Sequence, residues 1–354
     1  MRPSTSPESP AGPSLLVPQT SFLGDVVLTT PLLAALRQRL RPRRLAVLVR
    51  PDAASLLDGH PDIDDVLVDD KRDATRGMRG LLRIATRLRA ERFDLAVSPH
   101  RSMRTALVLA AARIPRRIGF ADSRGAALYH ERVPRDRRRH DVERNLALLA
   151  PFGGPSGTPR LHLAVQPGAA SRAAALLPDG CGPLVGLAPG SVWATKRWTT
   201  EGFAAVLRAL RADGARIVVL GAPAERALAE EVVRRGGGGA TVLAGRTDLA
   251  TLVAVIDRLA LLVANDSAPM HMACARDVPV VAVFCATTPS LGYGPWGERA
   301  RVVGVDLDCR PCARHGGPRC PRGTDDCQRL VRPESVLAAT RALLASRRSA
   351  GSAA

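Results

Sequence analysis

The chain has 354 residues, too many for one ordinary domain, so two domains are the first expectation. A hydrophobic content of 46% is enough for full cores, and an aromatic content of 3% makes them aliphatic; no apolar run approaches the roughly 20 residues that span a bilayer. The formal charge of +18 is uneven, with 20 Lys/Arg against 8 Asp/Glu between positions 71 and 144, and attracts an anionic partner. Nucleic acid is disfavoured because no stacking aromatics interleave with the basic residues; acidic lipid or a phosphorylated substrate remains. Arginine on solvated faces accounts for part of the excess.

The opening stretch 1–14 is Pro/Ser-rich and lacks the apolar core of a secretory signal, so it reads as a disordered lead-in to a cytoplasmic protein with reduced cysteines. A short apolar strand at 15–17 runs through Gly24 and Asp25 into a helix at 26–40. Gly24 permits a tight turn or close ligand approach, and Asp25 lands at the helix head, where a carboxylate also suits the helix dipole. Strands at 45–49, 66–68, 95–98 and 117–119 then alternate with helices at 53–57, 75–90, 102–112 and 142–150. The breaker-rich stretch 151–159 reads as a boundary and 166–183 as an interdomain linker.

The second half repeats the rhythm. Strands are predicted at 184–188, 216–220, 242–243, 261–264, 278–284 and 301–303. Helices are predicted at 200–211, 224–235, 249–259, 268–275 and 334–345. The chain therefore divides into an α/β domain at 15–165, a linker at 166–183, a second α/β domain at 184–330, and a terminal helix and tail at 331–354. Two Rossmann-like parallel-sheet domains facing a cleft, with a helix after the second, is the GT-B plan.

The stretch 261–285 organises the rest. Its strand stops at Asn265-Asp266-Ser267, a helix follows with Pro269 in its first turn, and a second strand closes a parallel crossover. Open α/β sheets bind ligands beyond the carboxyl ends of their strands, where helix amides face an anion. Asp266, Ser267 and His271 sit at that place, although a capping Asp and a solvent-facing His would produce the same letters. Dinucleotide binding of the dehydrogenase type is unsupported, since no GxGxxG follows a strand, and no GxxxxGK[ST] is present.

Six motifs stand in one order. They are Ser21-Phe-Leu-Gly24-Asp25 through Pro31; Ala188-Pro-Gly-Ser191 with Ala194-Thr-Lys196-Arg-Trp198; Leu220-Gly-Ala-Pro-Ala-Glu225-Arg226; Ala244-Gly-Arg-Thr-Asp-Leu249; Asn265-Asp-Ser-Ala-Pro-Met-His271; and a terminal cysteine loop. Across positions 15 to 346 this resembles the ADP-heptose:lipopolysaccharide heptosyltransferase family, its second-heptosyltransferase branch more than its first. Ala268 departs from the glycine usual in that family, so an amide close to a phosphate carries a side chain here.

The resemblance implies an inverting, metal-independent glycosyltransferase that moves a heptose from ADP-L-glycero-D-manno-heptose to the inner core of lipopolysaccharide. It implies Asp25 as the general base, Lys196 with Ser191 and the amides at 266–268 around the departing diphosphate, and Glu225 on the adenosine ribose. The loop 245–249, with Thr247, would hold adenine, and Asp266 and His271 the heptose. An acceptor built on lipid A is heavily anionic, which agrees with the basic stretch in the first domain. Arg101, Arg104, Arg117 and His140 are candidates to contact it, at the inner face of the cytoplasmic membrane. No cofactor is expected beyond the sugar nucleotide. Cys309, Cys312, Cys320 and Cys327 have spacing compatible with a structural zinc site, with a metal-free loop as the default. Two alternatives stand beside this reading: a related transferase using another nucleotide sugar, and a non-catalytic sugar-nucleotide-binding protein.

Overall fold

The computed structural model describes residues 12–71 and 76–351. The lead-in expected at 1–14 lies mostly outside the described residues, but its last three positions are already strand. The first sheet is built from β1 (Gly12–Pro18), β2 (Pro42–Val49), β3 (Asp65–Val68), β4 (Leu95–Ser98), β5 (Arg116–Phe120) and β6 (Glu131–Val133). Its order is β3-β2-β1-β4-β5-β6, and every pairing is parallel. The helices of this part are α1 (Leu23–Leu40), α2 (Gly77–Ala90), α3 (Met103–Ala111) and α4 (Asp141–Leu146). The core on one face packs α2 and α3 (Leu81, Ile84, Leu88, Val108, Leu109) onto Leu16, Leu48 and Ala96 of the strands.

The rest of the chain contributes α5 (Pro167–Leu176), β7 (Leu184–Ala188), α6 (Thr200–Ala212), β8 (Arg216–Val219), α7 (Arg226–Arg235), β9 (Thr241–Val242), α8 (Leu249–Asp257), β10 (Leu261–Asn265), α9 (Ala268–Ala275), β11 (Val280–Val283), β12 (Ala300–Val303), α10 (Asp326–Arg329) and α11 (Pro333–Gly351). The second sheet runs β12-β11-β10-β7-β8-β9, again all parallel. Buried on both faces, its strands read as near-continuous apolar runs such as Leu184–Ala188. One face carries α6, α7 and α11 through Phe203, Val206, Leu210, Val232 and Val336. Helix α6 starts cleanly because the Thr199 hydroxyl accepts the Gly202 amide at 3.1 Å, and α8 because Asp248 accepts from Thr251 at 2.7 Å.

The chain divides into two compact units. One holds residues up to Phe22, Thr29–Arg135 and Val142–Pro159; the other holds Leu23–Leu28, Asp136–Asp141 and Arg160–Ala354. Three elements escaped the sequence reading, one of them the four-residue α10 within the cysteine loop. The stretch 166–183, expected as linker, contains α5, which packs on α8 and is pinned by Arg172 to Thr251 at 2.9 Å and to Asp248 at 3.2 Å. Its Ala-rich composition gives little apolar periodicity to detect. β6 is a three-residue edge strand whose Glu131 pairs with Arg116 at 2.6 Å, and a strand that short and polar carries no alternation signal. The helix expected at 142–150 breaks into α4 and a 3-10 turn, Ala147–Phe152, at Pro151. The turn Pro51–Leu56 is likewise 3-10 rather than α-helical.

Candidate active site

In the second sheet the strand order reverses between β7 and β10, so the loops after these two strands diverge and leave a crevice. Ser191 follows β7 and Asp266 follows β10, and the Ser191 hydroxyl donates to the Asp266 carbonyl at 3.4 Å. Asn265 ties the two loops together. Its side-chain amide donates to the Pro189 carbonyl at 2.7 Å while its Oδ1 accepts the Trp198 amide at 3.0 Å. Sequence reading took Asn265 as a strand stop and a helix-start residue, not as a tie between two loops.

Lys196 sits on the 3-10 turn Ala194–Lys196 and places Nζ 2.7 Å from Asp266 Oδ2. The Thr287 hydroxyl, beyond β11, donates to the same oxygen at 2.6 Å. The pair is largely desolvated, at 15% and 7% side-chain exposure, so the ammonium is held in one place rather than swinging on its stem. Beside it α9 begins at Ser267, whose backbone is extended and whose hydroxyl bonds the Asn265 carbonyl at 3.2 Å instead of capping the helix. The first amides of a helix have no internal partner, and Pro269 has none to offer, so Ser267 and Ala268 present the donors. A fixed cation, a hydroxyl and a helix N-terminus therefore lie together at the ends of β7 and β10, an arrangement whose chemistry can hold an anion.

The turn that carries Lys196 is clamped by the cysteine loop. Thr195 exchanges hydrogen bonds with Gly317 at 3.0 and 2.8 Å, Gln328 donates to the Ala194 carbonyl at 2.7 Å, and Gly316 leaves no room for a Cβ against the Lys196 stem, which would lie 2.8 Å away. Trp198 anchors the far side, its indole N–H on the Val331 carbonyl at 3.1 Å. Arg310 gives its guanidinium to the carbonyls of Phe284, Cys285, Val305 and Thr287, bracing the loop that supplies Thr287. The loop's role is thus mechanical. Among the described residues no three His, Cys, Asp or Glu side chains gather as a metal site. Cys327 turns into the apolar core, where burial pushes its thiol up to about 11, and Cys312 packs against the same core; Cys320 is instead lowered by backbone amides at Asp325 and Arg322. Cys309, Cys312, Cys320 and Cys327, whose spacing is compatible with a zinc site, are not gathered in this way.

His271 is buried, which overturns the solvent-facing alternative. Burial pushes its pKa down to about 4, His140 and Lys196 push the same way, and Asp266 opposes them. It is neutral at pH 7, and its Nδ1 has no hydrogen-bond partner. Gly24 is pressed against this ring: a Cβ there would lie 2.9 Å from Cδ2. Asp25 is the next residue, in the first turn of α1, and groups with this unit. Its charge reaches Tyr293, where burial first and then Asp141 and Asp25 raise the phenol pKa. His140 belongs here too, stacked on Trp296 at 4.5 Å with Nε2 3.0 Å from the Gly294 carbonyl. It is not grouped with the arginines beside which sequence reading placed it.

Glu225 folds back over the end of β7. Its Oε2 accepts the Ala222 amide at 2.8 Å, and a Cβ on Gly190 would collide with the carboxylate. Thr247 is half-buried in the turn after β9, whose Gly245 adopts φ +75°. In the first unit, Arg104 pairs with Asp69 at 3.0 Å and Arg101 with Asp122 at 3.1 Å. Nearby His100 bridges Thr105 (2.8 Å) and Thr20 (3.2 Å), while Lys71 donates to the Thr20 carbonyl at 2.5 Å. These residues follow β1, β3 and β4, around that sheet's own switch point between β1 and β4. Arg117 instead spends its guanidinium on the Leu128 and Ile114 carbonyls, at 2.9 and 2.5 Å, and leaves the candidate anion set. Lys71, His100, Thr287 and Tyr293 were missed; three of them follow strand ends, the one signal that could have found them.

Two six-stranded parallel sheets, each with helices between its strands and a long helix after the second, make this a GT-B-type fold. Residues 81–319 match the model of glycosyltransferase family 9 (heptosyltransferase). The chain belongs to that family and is a glycosyltransferase. It is 28% identical over 297 residues to lipopolysaccharide heptosyltransferase 3 of Escherichia coli, covering 78% of this chain and 84% of that one. It is 26% identical to lipopolysaccharide heptosyltransferase 2 of Salmonella typhimurium, covering 82% and 87%. The crystal structure of a family 9 glycosyltransferase from Veillonella parvula superposes with a TM-score of 0.87 at 25% identity, covering 94% of this chain and 98% of that one. The E. coli ADP-heptose lipopolysaccharide heptosyltransferase II shares the fold, with a TM-score of 0.79 at 23% identity and 95% and 99% coverage.

Proposed function

We propose that the protein transfers a heptose from ADP-L-glycero-D-manno-heptose to the inner core of lipopolysaccharide, with inversion at the anomeric carbon. The observation that carries the reading is the Lys196–Asp266–Thr287 arrangement beside the α9 N-terminus at the switch point of the second sheet. The acceptor hydroxyl attacks the anomeric carbon as the bond to the diphosphate oxygen breaks. Asp25 takes the hydroxyl proton, and the charge left on ADP falls on Lys196, Ser191 and the amides of Ser267 and Ala268. The Asp266 carboxylate, with Lys196 and Thr287 on one oxygen, fixes the cation and offers its other oxygen to a sugar hydroxyl. Neutral His271 gives the heptose a hydrogen-bonding group without adding charge, and Glu225 suits the ribose of adenosine.

The relatives named above, both lipopolysaccharide heptosyltransferases, support the substrate class. Incubation with ADP-heptose and lipid A bearing defined core stubs, read by product mass, tests the reading. One added heptose with release of ADP is expected. Equal turnover of another nucleotide sugar would replace the donor, and ADP binding without any product would leave a binding protein.

A further inference from the structure

Taking the crevice of the second sheet as a nucleoside-diphosphate site, the reading on which this step rests, we propose that Arg197 is its second cation and that the outer edge of its guanidinium grips a phosphate. Arg197 is held by its backbone on both sides. Its own amide donates to the Ala194 carbonyl at 3.0 Å, and the next amide, that of buried Trp198, donates to Asn265 Oδ1 at 3.0 Å. Its Nε donates to the Ser191 carbonyl at 2.8 Å, so the half-buried side chain lies against the residue whose hydroxyl reaches the Asp266 carbonyl. A guanidinium has five N–H donors, of which Nε uses one. Among the described residues the four Nη hydrogens meet no acceptor, and no carboxylate pairs with Arg197. Arg117 and Arg310, by contrast, spend their Nη groups on backbone carbonyls.

Charge points the same way. Lys196 stands 2.7 Å from Asp266, so for a ligand beyond the pair the ammonium and the carboxylate largely cancel. Glu225 brings a further carboxylate to the end of β7, against Gly190, the residue before Ser191. With Lys196 alone, one cation faces two carboxylates, and a diphosphate would enter a net negative field. Arg197 restores the balance, and the first amides of α9 then tip it towards an anion. Its planar fork matches two oxygens of one phosphate, where a lysine offers only a point charge. Anchored through Nε, it gives up little side-chain freedom when the ligand arrives.

The test is calorimetric titration of the full chain with ADP, with adenosine as a competitor, at low and high salt. The parent should bind ADP, and more weakly at high salt. Arg197→Ala should weaken ADP about 10–100-fold, the usual worth of a hydrogen-bonded charge, with adenosine unmoved and the salt dependence flatter. Arg197→Lys, which keeps the charge without the fork, should recover part of the loss. Thermal melting equal to the parent's shows that a variant is folded; should alanine lower it, Arg197→Gln, which drops the charge but keeps a donor, takes its place. A folded neutral variant that binds ADP as the parent does overturns the proposal and leaves the diphosphate reading standing. So does a variant that loses ADP and adenosine alike with an unaltered salt dependence, since Arg197 would then only hold the loop. A parent that binds no ADP removes the diphosphate reading itself.

Discussion

The two sheets share one strand order with the same switch point, yet their carboxyl edges differ in how far their polar groups are buried. At β7/β10 the polar groups are buried and mutually fixed: Lys196 on Asp266, Asp266 on Thr287, Asn265 across both loops. At β1/β4 buried Thr20 and Thr105 hydrogen-bond a half-buried His100, flanked by the Arg101–Asp122 and Arg104–Asp69 pairs and by exposed Phe22, Met103 and Leu107. A desolvated, fixed cation stabilises charge that develops at one point during a reaction, because it need not reorganise. At β1/β4 the arginines are paired with carboxylates but remain about a quarter exposed (24% for Arg101, 23% for Arg104), where solvent screens such pairs. The same topology thus presents polar groups that are buried and mutually fixed at one edge and more open to solvent at the other.

The largest effect that could break this contrast is expected at Asp25. Asp25→Asn should lower turnover by about 10²–10⁴-fold, the usual worth of a positioned base, and leave ADP affinity nearly unchanged by calorimetry. Full activity would remove Asp25 from the reaction. Next comes the fixed cation. Lys196→Ala should cost about 10²–10³-fold in kcat, in line with the loss of one fixed donor elsewhere. Asp266→Ala should destabilise the fold by about 3–5 kcal/mol, because it strands a desolvated ammonium, and adding Lys196→Met should recover most of that loss in denaturant melts. A double variant no more stable than Asp266→Ala alone would show that the pair is not coupled as drawn.

A smaller effect sharpens the comparison, since each edge holds one histidine whose protonation is disfavoured by loss of solvent. His100 and His271 are both pushed down to about 4, by burial first, with Lys71 and Arg101 adding at His100. Both folded-state values lie below the unfolded value near 6.5, so the unfolded chain takes up protons first as pH falls. The stability from each is complete above about 6.5 and is lost as pH falls toward 4. Melting temperature followed across that window should drop less steeply in His271→Gln, and less steeply in His100→Gln, than in the parent. Unchanged curves would mean that neither imidazole resists protonation.

Much of the fold is legible in the letters. The apolar runs 95–98, 184–188 and 261–264 are strands because buried parallel strands need no polar alternation, and the helix over 268–275 follows from the turn residues before it. What stayed hidden had no local signature: an Ala-rich α5, a polar three-residue β6, and the clamp that the cysteine loop, read from sequence as a structural loop by default, places on the Lys196 turn.

 The clamp of Gly316 and Gly317 on the Lys196 turn joins positions more than 100 residues apart, so no local pattern announces it.

By itself the sequence determined the alternation of strands and helices, the strand ends where chemistry collects, and the family, because backbone propensity and hydrophobic period act over a few residues. Only the tertiary structure decided which of those strand ends meet. Burial, the Lys196–Asp266 pairing and the neutral state of His271 depend on groups that the chain brings together from far apart, and charge and solvation are properties of that neighbourhood rather than of any single residue.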